Sequence, residues 1–519
     1  MGKMKISKQL VIFILILLIV WAIAIYTISI SEKDVSQQTV WLIIAGMLVY
    51  TIVGIIVTIK IYHKKEIKPE KAVLYIMLVF CTLFMVVIPV GRGHDEIMHW
   101  YKAFEISQGQ LTTPILKDKR ISYTVLPKGT ETIIIERDNK DIYKYVDNIP
   151  LLHQKINYEE KTVVVNQNST AYCFVQYIPQ VIGILIGKMI TQTPLLMAYL
   201  ARLVNMIICI ICMYYAVKII PFGKNIILVL SIIPIAIEGF STMSPDGITI
   251  AICALFIAYT LSIAFNENKK CGIKETVLLT LLGAIVSLCK IVYMPLIFLV
   301  CIIPKEKFTS KKSRIISLSC IIGIGMLCNF IWLIFGSMAL LQSNTNTYMY
   351  GQENATMLKI TSLLNNPILY IQKIFYTIGI KANDYFLSLF GGQLEWSESV
   401  CMQITPYIVC GICILAAIAE EKTKMIFQKY QKRILLGIVI IITILIFTSL
   451  YIQWSDTKLA YIDGVQGRYF LPILPLILLL ISSMKIKIKY TNLQVTKLIC
   501  IASIGICLYS TATILAIHL

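Results

Sequence analysis

LVIFILILLIVWAIAIYTISI, residues 10–30, is an apolar run without a single charge. At about 1.5 Å per residue, a helix of that length crosses the roughly 30 Å hydrocarbon layer of a bilayer. It reads as a span rather than a signal peptide, whose apolar core is shorter and is followed by an Ala-x-Ala-like cleavage site. The rest of the chain follows suit. With 57% hydrophobic residues over 519 positions and a mean hydropathy of +0.78, it holds more apolar surface than one water-soluble core could bury. The fold class is an all-α polytopic membrane protein.

A net charge of +19 would fit a nucleic-acid binder if the basic residues formed a patch, but they sit in short loops between apolar runs. That is the positive-inside pattern of membrane topology. The clusters are Lys3-Lys5-Lys8, Lys64-Lys65-Lys68-Lys71, Lys269-Lys270-Lys274, Lys305 to Arg314, Lys422 to Arg433 and Lys485-Lys487-Lys489. Each is expected to be cytoplasmic, and no nucleic acid is expected as a partner. The 15 cysteines lie almost wholly in apolar segments, where they act as small hydrophobes; Cys173 and Cys401 are the expected external ones. The CxxC spacings at Cys209/Cys212 and Cys410/Cys413 lack a second ligand pair and read as helix packing. Sequons stand at Asn168 and Asn354, but the Ile- and Lys-rich, Ala-poor composition looks bacterial.

Anchoring the basic loops inside sets the path. Spans fall at about 9–30, 39–62 and 72–90, and the polar stretch from 91 to about 170 forms a large external loop. Within it, Thr130 to Glu136 and Lys161 to Gln167 are β-branched runs expected to pair as strands. Residues 171–190 are apolar, yet counting them as a span would turn every later basic loop outward, so an interfacial or re-entrant helix is expected there. Further spans follow at about 196–217, 224–240 and 246–265. Residues 275–303 join two basic loops and must be a hairpin, with arms of about 14 residues that reach only about 21 Å as helix. Its tip, Cys289 to Tyr293, puts Lys290 at the apex of a wedge open to lipid. Spans at about 315–338, 400–419, 434–452, 468–484 and 495–517 bring the total to about 13, with the N-terminus cytoplasmic and the C-terminus external. Residues 339–399 form a second external region, with an amphipathic stretch at Ile368 to Ile380 and the acidic Glu395-Trp396-Ser397-Glu398. Three parts emerge: a two-span segment 1–71, a membrane core 72–485 that includes the external loop 91–195, and a last span in 486–519.

The candidate site residues all map to the outer half of the membrane. Gly91-Arg92-Gly93-His94-Asp95-Glu96 leaves the third span, and Ile97 to Gln108 reads as a helix, so Asp95 and His99 share a face at i, i+4. A carboxylate at that N-terminal turn is favoured by the helix dipole, and a simple N-cap is the plainer alternative. Asp246 follows Ser244-Pro245 at another helix start, where its helix-terminal role would account for it as well. Lys290 and Arg468 are ionisable groups at membrane depth, which usually mark a substrate path; interfacial snorkelling is the alternative. Arg202, inside a span, would pair with a carboxylate or with a ligand phosphate.

Taken in order, Asp95-Glu96 with His99 and an aromatic-rich helix ending at Gly109, Ser244-Pro245-Asp246, Lys290-x-x-Tyr293-x-Pro295, and Gly464-Val465-Gln466-Gly467-Arg468-Tyr469-Phe470-Leu471-Pro472 resemble the bacterial membrane proteins grouped as domain of unknown function 2142 (DUF2142). The resemblance covers roughly residues 70–485, and that family looks like a branch of the GT-C glycosyltransferase superfamily. It implies a GT-C-like fold and a sugar donor carried on polyprenyl phosphate or diphosphate. It further implies that an acidic residue of the first external loop serves the reaction; Asp95 matches that position, with Glu96 its neighbour. The residue chemistry is compatible. A base must take the acceptor hydroxyl's proton, and the leaving phosphate needs cations. Asp95 is the expected base, with Glu96 and His99 beside it. Arg468 and Lys290 are expected to hold the phosphate, and Tyr293 and Gln466 to orient donor oxygens. A divalent metal (Mg2+ or Mn2+) bridging Asp95, Glu96 or Asp246 to phosphate would suit this chemistry, although no motif demands one. The expected partners are the bilayer, the polyprenyl-linked donor and a cell-envelope glycan or glycolipid acceptor. The rival classes are a transporter or flippase of a lipid-linked or anionic solute and a noncatalytic partner in envelope assembly.

Overall fold

The computed structural model describes residues 7–30, 35–116, 121–133, 145, 148–165, 169–337, 355–395, 399–400, 403–419, 427–456, 458–484, 486 and 489–519. Eight helices among them are long and apolar enough to cross a membrane. They are α1 (Lys8–Ile30), α2 (Gln37–His63), α3 (Pro69–Val87), α6 (Pro194–Ile219), α8 (Pro245–Phe265), α10 (Lys311–Trp332, extended by a π turn to Gly336), α14 (Lys429–Gln453) and α16 (Asn492–His518). A ninth is reached by joining Lys224–Ile232 to α7 (Pro234–Ser241) across a 75° bend. Expected spans at 400–419 and 468–484 are shorter: α13 (Ile404–Ile418) has 15 residues, and the second opens as a 3-10 segment, Gly467–Ile473, before α15 (Leu474–Ser482).

The hairpin is present, with unequal arms. α9 (Ile273–Cys289) has 17 residues, and the return arm, Ile291–Ile302, is a 3-10 helix of 12. A 3-10 helix rises about 2.0 Å per residue against about 1.5 Å for an α-helix. The short arm therefore spans about 24 Å and the long one about 26 Å, and Pro295 is accommodated inside the tighter coil.

The polar region after α3 carries α4 (Glu96–Ser107) and an antiparallel sheet of β1 (Ile115–Leu116), β2 (Ile121–Lys128) and β3 (Asn157–Val165) in that order. The expected strand pairing needs correction. The partner of β3 is Ile121–Lys128, with Val125 opposite Val163, and Thr130–Ile133 is a 3-10 turn. Gly129 at φ +91° turns the chain off the strand before the β-branched run begins. Residues 171–190 form a 3-10 turn and α5 (Ile178–Ile190), packed on α4 and α6. Beyond α10 come α11 (Ala355–Asn365) and α12 (Pro367–Leu389), the latter longer than the amphipathic stretch expected at 368–380. The sequons at Asn168 and Asn354, Cys401 and Trp396 to Glu398 lie outside the described residues.

α8 is the best-buried span and forms the centre of the molecule with α3, α6, α7 and α9. Its approach to α7 depends on small residues, as is usual where lipid supplies no hydrophobic drive between helices. A Cβ at Gly247 would lie 2.1 Å from the Gly239 carbonyl oxygen, so any side chain there would part the two helices. Asn205 on α6 secures the bend between them, donating through Nδ2 to the carbonyls of Thr242 (2.9 Å) and Gly239 (3.3 Å). These are carbonyls that a helix end leaves without an intrahelical partner. The result aims the first turn of α8, with Asp246, at the hairpin tip. α16 packs on α1, α2 and α3 at the flank of this core.

Candidate functional site

The four groups that meet come from four distant parts of the chain. Arg468, at the start of the 3-10 segment, donates through one terminal nitrogen to Asp246 Oδ2 (2.9 Å) and through the other to Asp95 Oδ2 (3.0 Å). Lys290, at the hairpin tip, binds the other oxygen of Asp246 (2.5 Å). The order in space is Asp95, Arg468, Asp246, Lys290, two anions alternating with two cations. Gln466 holds the Arg468 Nε–H with its side-chain carbonyl. Gly467 lets this turn press on the end of α12: its N–H donates to Ser388 Oγ (2.8 Å), and a Cβ there would sit 2.0 Å from the Tyr385 carbonyl oxygen. The Lys290 ammonium lies between the rings of Tyr172 and Tyr469, 5.1 and 5.0 Å from their centroids, a cation–π arrangement that offsets part of its desolvation.

Asp95 is the helix-start residue of α4, but its side chain makes no cap hydrogen bond; it reaches Arg468 instead. Its backbone is left-handed, at φ 56° and ψ 15°, a conformation that aspartate tolerates better than most residues. Glu96, next in sequence, turns about 100° around the helix and goes elsewhere. It is fully buried, pairs with Arg202 through both carboxylate oxygens (2.7 and 2.6 Å), and accepts the N–H groups of Gly91, Gly93 and Met243. Arg202 also donates to the carbonyls of Met85, Ile88 and Pro89, which are the loose ends of α3. Glu96 and Arg202 thus satisfy each other and shape the loop that presents Asp95. Of the two fates expected for Arg202, the structure displays the carboxylate.

His99 is buried one turn after Asp95, with Nδ1 2.7 Å from the Tyr177 hydroxyl. Burial, which outweighs the attraction of Asp95, pushes the imidazole down to about 4, so the ring is neutral at neutral pH. An unfolded histidine titrates near 6.5. The folded protein therefore resists a proton that the unfolded chain accepts, and stability should hold above about pH 6.5 and fall progressively toward about pH 4. Thermal unfolding followed across that window is expected to fall less steeply for His99→Gln. Parallel profiles would show that His99 does not carry the effect.

Tyr293 donates its hydroxyl to the Tyr469 carbonyl (2.8 Å). It and Gln466 thus brace the Arg468 turn. Glu238 was not singled out from the sequence. It accepts from the N–H and Nδ1 of His94 (3.0 and 2.6 Å) and from the N–H of Glu395 (2.9 Å), pinning the residue before Asp95 from inside α7. A lone acid within the expected span 224–240 is the signal that would have found it.

The cluster borders a cavity of about 270 Å³. Asp95, Lys290, Gln466, Tyr172 and Tyr469 line it together with Leu288, Ile291, Val292, Leu333, Ile446 and Leu450 from the hairpin, α10 and α14, elements that also bring Ser287, Asn329, Ser449 and Gln453 to the wall. The hairpin tip expected to carry Lys290, Cys289 to Tyr293, borders this space. The donor set does not suit a divalent metal. Asp95 and Asp246 already face a guanidinium between them, Glu96 is spent elsewhere, and no group of three or more His, Cys, Asp or Glu side chains gathers as a metal site among the described residues.

Residues 78–477 match the family model described as a predicted membrane protein, DUF2142. The chain belongs to the DUF2142 family. The matched region begins inside α3 and ends inside α15, so it contains every residue of the cluster and leaves α1, α2 and α16 outside. No curated protein and no solved structure matches the chain.

Proposed function

We propose that this DUF2142 protein is a membrane glycosyltransferase of GT-C type. It would move a sugar from a polyprenyl-phosphate or diphosphate donor to a cell-envelope glycan or glycolipid at the outer face of a bacterial cell membrane. The observation that carries the reading is the Asp95–Arg468–Asp246–Lys290 cluster at the edge of a cavity whose lining is otherwise largely apolar. A lipid-linked phosphate has this same division between charged head and apolar tail.

The reaction needs three events. The acceptor O–H gives its proton to a carboxylate, the acceptor oxygen bonds to the anomeric carbon, and the bond from that carbon to the phosphate oxygen breaks with its electrons on the phosphate. Asp95 is the candidate base, because its side chain is the more exposed of the two clustered carboxylates (25% against 16%) and it lines the cavity. Arg468 and Lys290 receive the charge that develops on the phosphate, as preorganised cations in a partly dry site. One displacement opposite the leaving phosphate inverts the anomeric centre, as single-carboxylate activation of the attacking oxygen does in inverting glycoside chemistry. At rest the two cations are neutralised by the two aspartates. A donor phosphate arriving at Arg468 competes with Asp95 for the guanidinium and frees the carboxylate for the acceptor, which makes donor binding the first step. Residues His99 and Glu96 position the loop in this scheme, and no step passes through a metal.

The test compares wild type with Asp95→Asn in membranes supplied with radiolabelled polyprenyl-linked sugars, following label into polymer or glycolipid. Transfer is expected to drop by at least about 10²-fold at unchanged protein level. Undiminished transfer would remove Asp95 from the chemistry. It would then favour a transporter or flippase, the reading that an ionisable Lys290 at membrane depth also supports, or the assembly partner.

The orientation proposed here puts the N-terminus in the cytoplasm and the C-terminus and the sheet outside. A cysteine replacing the exposed Val163 on β3 should react with an impermeant thiol reagent from outside, and one replacing Lys311 should be protected. The reverse pattern would invert the scheme.

A further inference from the structure

One wall of the cavity is a single face of α14 and its cap. Ile446, Ser449, Leu450, Gln453 and Trp454 recur at helical spacing and stand in one stripe. Along that stripe the chemistry changes from aliphatic to an amide and an indole as it nears Gln466. Trp454 is held there by backbone. Gly464, at φ +80°, runs directly against it, and a Cβ at that position would lie 2.4 Å from the indole Cδ1. Only glycine combines that conformation with that contact.

The other aromatic side chains of the cavity wall are engaged. Lys290 sits between Tyr172 and Tyr469, Tyr293 is bound to the Tyr469 carbonyl, and Trp332 donates to the Ala171 carbonyl and packs on Phe174. Trp454 makes no ring, cation or side-chain hydrogen-bond contact among the described residues. We infer that its indole is the platform for the sugar of the lipid-linked donor, with the lipid tail running along Leu450 and Ile446. This rests on the glycosyltransferase reading and adds the position and orientation of the sugar. A pyranose or furanose presents a C–H face that packs on an indole, while its hydroxyls suit amides such as Gln453 and Gln466; a few placed polar groups on a mostly apolar wall are how such pockets fix orientation.

The experiment measures binding of the full-length protein in nanodiscs to a long-chain polyprenyl phosphate, bare or carrying glucose or arabinose, by tryptophan fluorescence and by competition with a labelled lipid. Trp454→Ala should weaken the better sugar lipid by about 3- to 10-fold and leave the bare lipid unchanged. Trp454→Phe, which keeps a ring, should lose less affinity. The fluorescence change that sugar adds in wild type should vanish in Trp454→Phe, although the other five of six tryptophans remain. Equal weakening of bare and sugar lipids, or no weakening of either, would overturn the platform, as would bare-lipid binding that neither sugar improves. Failure of wild type to bind even the bare lipid would take the glycosyltransferase reading down with it.

Discussion

Arg468→Lys is expected to lower sugar transfer by about two orders of magnitude, the usual cost of removing one preorganised donor from a site of developing negative charge. The charge is kept, but the fork is lost. Arg468 reaches Asp246 with one terminal nitrogen, Asp95 with the other and Gln466 with Nε. A lysine is a point charge that can occupy only one of those positions. Without the bridge, only one of the two carboxylates would keep a direct partner at position 468, and repulsion between them would favour a proton on the other. The base would then be blunted along with the phosphate clamp. Lys381→Gln serves as the control, since its ion pair with Asp384 is exposed and of the i, i+3 kind, worth little. Equal transfer by the two variants would make Arg468 an interfacial anchor and remove the phosphate clamp from the mechanism.

The second large effect is on folding. Replacing Arg202 with methionine leaves the fully buried Glu96 carboxylate without its counter-charge and strips donors from three carbonyls at the end of α3. Breaking a buried pair from one side typically costs about 3–5 kcal/mol, much of a domain's net stability. Arg202→Met should therefore lower the unfolding temperature sharply in detergent. The double variant Glu96→Gln with Arg202→Met should recover part of that loss, because no bare charge remains. The same series tests whether Arg202 touches a ligand phosphate: transfer lost at unchanged thermal stability would put it in the substrate site, against the pairing observed.

The membrane character, the long spans, the hairpin with Lys290 at its tip and the set of charged motifs were legible in the sequence, because each is a local property. A bilayer penalises every unpaired charge and exposed backbone group where it stands, so hydropathy and lysine placement read out segment by segment. Register on the sheet was not legible in this way, since β-branched runs on either side of Gly129 carry the same strand signal and only the turn decides between them. Nor was the division of labour among the charged residues. Asp95 and Glu96 are neighbours of the same type, and Arg202 and Arg468 are both arginines near the outer ends of expected spans. Helix rotation allowed one acid of the pair to face the cavity, but which one, and which arginine each would meet, depended on contacts 106 residues apart for Glu96 with Arg202 and 373 apart for Asp95 with Arg468. The chain by itself determined that charges would gather in an oily protein. Only the packing of α3, α6, α8 and the hairpin decided which of them neutralise one another in the dry interior and which meet beside the cavity, because a buried charge is stable only where the fold delivers its partner.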